Sequence, residues 1–209
     1  MITNKKTLQL YLDADKFALG TNRRFPLPFV DSIWRYQRAL RFYEYHKNVG
    51  NKIRQYFYSF LLTRRGERLG FSISGNCFGL GLRINHHGLL IVNAKAKIGK
   101  WCDIHQGVNI GENGWIDESG KQVSEVPTLG DFVFIGPGAK LFGNCKIGNH
   151  TRIGANAIIN KDIPNDYTAY GIPQLNTPNK RHIITIAEKR TEELFLQKYP
   201  QYKELIETI

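Results

Sequence analysis

The sequence predicts a mainly β protein: a left-handed parallel β-helix, preceded by an α-helical N-terminal region and followed by a C-terminal helix. Two observations predict this fold. Residues 98–164 repeat an aliphatic residue every six positions, and residues 1–70 place apolar side chains at helical spacing. We therefore expect a basic helical region over 1–70, the β-helix over 71–173 and a helical tail over 174–209.

The six-residue repeat is the strongest signal in the chain. It comprises nine blocks starting at Ile98, with Ile or Leu first in all nine and Gly second in six. This period fits neither an α-helix nor an alternating strand pair, but it fits short strands joined by tight turns around a narrow core. We expect the glycine to supply a turn conformation that a β-carbon would oppose. Residues 115–128 interrupt the repeat. They are either a surface insertion or, as we favour, a flap over a cleft between subunits.

Residues 1–70 are both helical and basic. They hold 14 Lys or Arg against 5 Asp or Glu, a net charge of +9, whereas the remaining residues hold 15 against 13. The basic surface is either simply solvated or a contact for an anionic partner, such as membrane lipid head groups or a phosphate-bearing substrate. No nucleic-acid-binding motif accompanies the charge. Candidate buried residues on the helices are Trp34, Ala39, Phe42, Tyr45 and Val49, followed by Tyr56, Phe57 and Phe60 on a second helix from Lys52 to Thr63.

Composition favours a cytoplasmic protein. No stretch approaches 18 uninterrupted apolar residues, and the N-terminus lacks an apolar signal-peptide core. The three cysteines, Cys77, Cys102 and Cys145, are scattered without the spacing of a zinc site or disulfide framework.

Several segments in order resemble the hexapeptide-repeat acyltransferases, and within them the serine acetyltransferase group. They are RINHHGLLIV at 83–92, AKIG at 96–99, IHQGVNIG at 104–111, VPTLGDFVFIGPGAKLFG at 126–143, IGANAIINKDIP at 153–164 and YGIP at 170–173. The closest likeness is to relatives that O-acetylate capsular or other surface polysaccharides. The resemblance implies acetyl-CoA as donor, no metal, a histidine general base, and a homotrimer with its sites in clefts between neighbouring β-helices.

The spacing of the resembling segment selects His86 as the base, with Asn85 beside it as the second catalytic candidate. An imidazole suits this role because it titrates near neutral pH and can take the proton of an attacking hydroxyl. For His86 to face outwards, Ile84 and Leu90 must point inwards, which requires a two-residue slip in the repeat before Ile98. His87 is one residue off. We assign His105 a structural role.

The same resemblance implies where CoA binds, on the outer face of the last coils. Carried over by position, the candidates for the pantetheine path are Pro137, Ala155, Asn160 and Lys161. Lys180 and Arg181 are the candidates for contacts with the CoA phosphates, since a cationic side chain suits phosphate.

Two departures from the pattern bear on the acceptor. Serine acetyltransferases carry an Asp and a His where this chain has Asn85 and Val126, and those groups help to bind serine. Their loss leads us to expect a sugar hydroxyl in a surface polysaccharide or its precursor, with serine as the alternative acceptor. A non-catalytic β-helix scaffold is a further alternative. A γ-class carbonic anhydrase is disfavoured because Pro137 and Phe142 cannot ligate zinc.

Overall fold

The computed structural model describes residues 1–116, 122–171, 174–178 and 191–208, and it confirms a parallel β-helix of about five turns. Three helices precede the β-helix: α1 (Lys5–Ala18), α2 (Ser32–Asn48) and α3 (Lys52–Leu69). The strands are β1 (Phe71–Ile73), β2 (Arg83–Ile84), β3 (Leu90–Val92), β4 (Lys97–Ile98), β5 (Asp103–Ile104), β6 (Asn109–Ile110), β7 (Asn113–Ile116), β8 (Gln122–Glu125), β9 (Thr128–Leu129), β10 (Phe134–Ile135), β11 (Lys140–Leu141), β12 (Lys146–Ile147), β13 (Arg152–Ile153), β14 (Ile158–Ile159), β15 (Tyr167–Tyr170) and β16 (Gln174–Pro178). Residues 191–198 form α4, and a 3₁₀ turn at Pro200–Tyr202 leads into α5 (Lys203–Glu207).

The coils stack their strands into three walls. The first wall has the order β1-β3-β6-β11-β14, the second β2-β5-β10-β13-β15-β16 and the third β4-β9-β12. All pairings between successive coils are parallel; for example, β2 pairs with β5 so that Arg83 lies beside Asp103 and Ile84 beside Ile104. Three edges connect the walls. We call them the histidine edge (85–89, 105–108, 136–139 and 154–157), the hairpin edge (93–96, 111–116, 122–127, 142–145 and 160–162) and the aromatic edge (99–102, 130–133, 148–151 and 164–166).

The first residue of each six-residue block points into the prism, as the repeat predicts. All nine of these residues are buried: Ile98, Ile104, Ile110, Leu129, Ile135, Leu141, Ile147, Ile153 and Ile159. A second buried residue stands two positions before each of them, as Cys102 does before Ile104 and Val133 before Ile135. Alternation along each short strand therefore fills the core from two positions per wall.

The repeat glycines have a different role from the one we expected. The glycines at position two of the blocks, such as Gly99, Gly130 and Gly136, do not adopt positive φ. A β-carbon on Gly136 would instead lie 2.8 Å from the Ala155 backbone nitrogen of the next coil, closer than real contacts allow. The close approach of successive coils therefore requires glycine at Gly99, Gly130, Gly136 and Gly148, whereas a β-carbon on Gly111 would meet only the Asn109 side chain, at 3.4 Å. Left-handed backbone occurs elsewhere on the edges, at Trp101 and Phe132 among others.

The predicted two-residue slip is confirmed. Ile84 and Leu90 are both buried, and so is Val92, which lies six residues before Ile98 in the frame of the later coils. The turn between β2 and β3 thus holds five residues between its flanking inward positions, whereas the equivalent turn after Ile104 holds three. The longer turn carries His86 on the protein surface.

A buried charge cluster attaches α1 and α2 to the first coil. The fully buried Arg41 guanidinium contacts Asp15 at 2.7 Å and Glu44 at 2.9 Å. It also donates to the backbone carbonyl oxygens of Phe78 and Gly79. Asp15 in turn accepts from the Leu82 backbone nitrogen. Because a charge of this kind is stable in a protein interior only when it is fully paired, the cluster fixes the helices on the β-helix.

Part of the predicted helical core is wrong. Tyr56, Phe57 and Phe60 are exposed on α3, at 74%, 57% and 62%, and Val49 is exposed just beyond α2. The helix α3 runs to Leu69 and contributes mainly Gly66 and Leu69 to the interior. The apolar residues at helical spacing on α3 therefore form an exposed aromatic surface and do not pack into the core. Contact of this basic region with lipid head groups stays a prediction.

The interruption at 115–128 is largely regular structure. Strands β7 and β8 form an antiparallel hairpin, with residues 117–121 lying outside the described part of the chain. At the base of the hairpin, Ser124 donates to Glu112 at 2.7 Å and accepts from Lys95 at 2.9 Å. The hairpin thus projects from the hairpin edge, and its role as a flap stays a prediction.

Both ends of the chain pack on the aromatic edge. Trp101, Phe132 and His150 stack along this edge in successive coils. The Trp101 ring contacts Phe17 of α1 and Phe195 of α4, with ring centroids 6.3 and 5.5 Å away. The predicted C-terminal helix is therefore present at 191–198, while residues 182–190 lie outside the described residues.

Candidate active site

The histidine edge is where the predicted catalytic residues lie. His86 is exposed on the turn between β2 and β3, and its ring centroid lies 5.9 Å from that of His105 in the next coil. His87 is also exposed, and its Nε2 lies 2.8 Å from the Ser32 hydroxyl at the start of α2. The two neighbouring histidines thus have different surroundings. His87 contacts the helical region, whereas His86 lies beside His105 on the histidine edge.

Asn85 and His105 belong to a polar network centred on Asp103. The Asn85 side-chain amide donates to the Asp103 carboxylate and lies 3.1 Å from His105 Nε2. The Asp103 carboxylate lies 3.5 Å from the same nitrogen and 3.7 Å from the Arg83 guanidinium. All four side chains project outwards from β2 and β5 because they alternate with the buried Ile84 and Ile104.

Burial shapes the titration of this network. It raises the pKa of Asp103 above the ordinary value for an aspartate, while Arg83 and His105 oppose that rise. It lowers the pKa of His105, and the neighbouring His86 acts in the same direction while Asp103 opposes it. The lowered pKa favours the neutral imidazole of His105, whose Nε2 can then accept the Asn85 hydrogen bond.

A cleft of about 270 Å³ lies between the second wall beside this network, the aromatic edge and the helices α1 and α4, and neither His86 nor His105 lines it. Arg83, Asp103, Phe134 and Arg152 line it, and the Arg152 guanidinium lies 4.2 Å from the Phe134 ring centroid. The cleft thus combines one carboxylate with two guanidinium groups and an aromatic face.

The predicted CoA residues divide between two edges. Pro137 and Ala155 lie on the histidine edge, in the coils that follow His105, and Asn156 donates from its backbone to the Pro137 carbonyl at 2.8 Å. Asn160 and Lys161 are exposed on the hairpin edge, at the far side of the first wall. Lys180 and Arg181 lie outside the described residues. A single chain therefore does not bring all the candidates together.

Asp103 and Arg83 are site residues that sequence reasoning missed. The signal was present in the spacing, because Arg83 and Asp103 are paired at a separation of 20 residues, as are Asn85 and His105. That separation is three blocks of six plus the two-residue slip. If the repeat is extended towards the N-terminus with the two-residue slip included, Arg83 is aligned with Asp103 and Asn85 with His105.

No group of three or more His, Cys, Asp or Glu side chains that could hold a metal ion occurs among the described residues. Within the same part of the chain, no helix is long and apolar enough to cross a membrane.

The fold and the repeats are similar to those of the hexapeptide-repeat transferases. Residues 127–161 match the bacterial transferase hexapeptide (six repeats) family. Over 99 residues, 47% of this chain, it is 40% identical to a serine acetyltransferase of Synechococcus elongatus and 37% identical to one of Mycobacterium tuberculosis. Those stretches cover 38% and 41% of the relatives, so the chain spans less than half the length of the curated relatives it matches.

Solved structures of serine acetyltransferases share the fold over most of the chain. The Neisseria gonorrhoeae enzyme in complex with serine has a TM-score of 0.59 and 25% identity, covering 83% of this chain and 70% of that one. The soybean apoenzyme has a TM-score of 0.64 and 25% identity, covering 82% and 70%.

These comparisons correct our expectation of a sugar acceptor, which is wrong. The relatives and the similar structures are serine acetyltransferases, and the likeness to polysaccharide O-acetyltransferases finds no support among them. The expectation rested on Asn85 and Val126, at positions where an aspartate and a histidine were implied. The structure places the Asp103 carboxylate directly against Asn85, so the negative charge is still present in the neighbouring coil.

Proposed function

We propose that this chain is an acetyl-CoA-dependent O-acetyltransferase whose acceptor is the hydroxyl of serine. The observation that carries the proposal is His86, an exposed imidazole on the longer turn of a hexapeptide-repeat β-helix, with an ionisable network beside it. The similarity to serine acetyltransferases supports both donor and acceptor. A scaffold without activity would have no need for a half-buried Asp103 at this position.

In the proposed reaction, His86 removes the proton of the acceptor hydroxyl as its oxygen attacks the thioester carbonyl carbon of acetyl-CoA. The tetrahedral intermediate then collapses with cleavage of the carbon–sulfur bond, and the imidazolium returns its proton to the leaving thiolate. Backbone N–H groups of the histidine edge are suitable donors for the transient oxyanion. Direct transfer of this kind needs no covalent acyl-enzyme.

We also propose that the working form is a homotrimer. Pro137 and Ala155 share the histidine edge with His86, but Asn160 and Lys161 occupy the hairpin edge. If all of these residues contact one acetyl-CoA molecule, the hairpin edge of one copy has to face the histidine edge of another. Closed cyclic assemblies of identical chains provide such repeated contacts between unlike surfaces.

The test is thiol release from acetyl-CoA in the presence of L-serine, followed with a thiol-reactive chromophore. We expect His86→Ala to lower kcat by roughly 10²- to 10⁴-fold, because it removes the general base, while CoA still binds. His87→Gln is the matched control, an adjacent and equally exposed histidine that should leave kcat within a factor of about two. Near-normal turnover in H86A, or an equal loss in H87Q, would refute the assignment.

A further inference from the structure

The charges next to His86 match those of a free amino acid. Asp103 is half-buried, with 28% of its side chain exposed, and Arg83 beside it is 51% exposed. Their 3.7 Å separation is too long for a hydrogen bond, so each group keeps bonding capacity towards the cleft. An amino acid presents one ammonium and one carboxylate on the same carbon. The pair therefore offers both complementary charges on adjacent strands.

The position of the pair relative to the proposed base is also suitable. Asp103 is 3.5 Å from His105 Nε2, and the His105 ring is 5.9 Å from the His86 ring. A serine hydrogen-bonded at both ends spans a similar length, because each hydrogen bond adds about 2.8 Å to the distance of roughly 3–4 Å between its ammonium nitrogen and its hydroxyl oxygen. A serine held at Asp103 can therefore direct its hydroxyl towards His86.

A purely structural role explains the pair poorly. The equivalent outward positions of the next two coils hold Phe134 and Arg152, and neither contributes a carboxylate. Burying part of an aspartate on an outer wall is unfavourable unless something compensates for its lost hydration. Asn85 provides part of that compensation by donating to the carboxylate, and a bound ammonium would provide more.

We infer that Asp103 and Arg83 are the acceptor-recognition residues, Asp103 receiving the ammonium of serine and Arg83 its carboxylate. The inference rests on the proposed function and names the residues that select an amino acid over a neutral hydroxyl compound. It assigns Asn85 and His105 as positioning residues that hold the Asp103 carboxylate towards the cleft.

The test compares two variants against three acceptors in the thiol-release assay: L-serine, ethanolamine, which lacks the carboxylate, and 3-hydroxypropanoate, which lacks the ammonium. Asp103→Asn should lower kcat/KM about tenfold or more for serine and ethanolamine but leave 3-hydroxypropanoate nearly unchanged. Arg83→Gln should lower kcat/KM for serine and 3-hydroxypropanoate and spare ethanolamine. An analogue that reacts too slowly is measured as a competitive inhibitor of serine, with the same pattern expected in its inhibition constant.

Asp131→Asn is the matched control. Asp131 is an aspartate of similar side-chain exposure, 34%, and pairs with Lys100 at the same distance of 3.7 Å, but it lies on the aromatic edge. This variant should behave like the wild type with all three acceptors. Thermal unfolding of each variant checks that it folds. If D103N does not fold, the proposal is tested by whether R83Q lowers kcat/KM for serine and 3-hydroxypropanoate but not for ethanolamine.

The failure of this inference differs from that of the proposed function. If the wild-type chain releases no thiol with L-serine, the proposed function fails. If the wild type acetylates serine but D103N and R83Q affect all three acceptors equally, or none, the recognition role is overturned. An equal loss with every acceptor would mean that Asp103 acts only by holding His105.

Discussion

At the scale of single residues, two ionic groups are used in different ways. Arg41 is fully buried and every charged partner it has is internal, so it serves the attachment of the helices. Asp103 is only half-buried and opens onto a cleft. His86 could be predicted because its segment has a distinctive spacing. Asp103 could not, because a lone aspartate in a repeat looks like any solvated outward residue until its neighbours in adjacent coils are known.

The buried cluster makes a direct prediction about stability. Arg41→Met should lower the free energy of unfolding by about 3–5 kcal/mol, because it strands the buried Asp15 and Glu44 carboxylates without a counter-charge. Urea denaturation monitored by circular dichroism measures the change.

The control for that experiment is Arg23→Ala, which removes a half-exposed arginine paired with Asp31 at 2.7 Å. The Arg23 side chain is 49% exposed, although that of Asp31 is only 13% exposed, so this pair should contribute much less than the fully buried Arg41 cluster. Equal effects of the two substitutions would show that burial of the Arg41 cluster is not what holds the helices.

At the scale of elements, the regular coils were predictable and the departures from regularity were only partly so. The inward row from Ile98 to Ile159 followed from the period alone, and the slip before Ile98 followed from asking His86 to face outwards. The aromatic residues of α3 were wrongly predicted to be buried. Helical spacing identifies an apolar face of a helix, but it does not show whether another element packs on that face. The role of the repeat glycines depends on distances between coils that no single block of sequence contains.

The β7–β8 hairpin tests whether the interruption of the repeat has a function. Replacing residues 113–125 by a two-residue Asn-Gly turn should leave unfolding cooperative, because Ile110 and Leu129 on either side remain in the core. We expect KM for acetyl-CoA to rise several-fold, since the hairpin shares its edge with Asn160 and Lys161. Steady-state kinetics with acetyl-CoA varied provide the measurement. Unchanged kinetics would make the hairpin a tolerated surface insertion.

At the scale of the whole molecule, the distribution of site residues over two edges matters most. The histidine edge carries His86, Pro137 and Ala155, and the hairpin edge carries Asn160 and Lys161. Sequence alone could not separate these groups, because assignment to an edge depends on counting through the slip and the hairpin. Their separation is the physical reason for proposing a shared site between copies.

Mixing two impaired variants tests that proposal. If the site is shared, equal amounts of H86A and Lys161→Ala chains, co-expressed, should regain about a quarter of the wild-type activity at limiting acetyl-CoA, because one in four contacts in a random assembly unites two intact edges. Each variant expressed alone provides the baseline. Light scattering on the purified protein should give three times the 24.0 kDa chain mass. A monomeric mass, or activity no greater than the average of the two variants, would contradict the shared site.

The contacts of Trp101 with Phe17 and Phe195 show how the helices on either side of the β-helix in sequence pack against it. Stacked coils are open-ended by construction, and most such proteins need separate caps at each end. Here the N-terminal and C-terminal segments also contact each other, through the Phe17 and Phe195 rings and through a hydrogen bond from the Tyr202 hydroxyl to Asp13. The helix α1 and the segment from Phe195 to Tyr202 thereby pack together over one side of the β-helix. Deletion of either segment would expose the Trp101 indole.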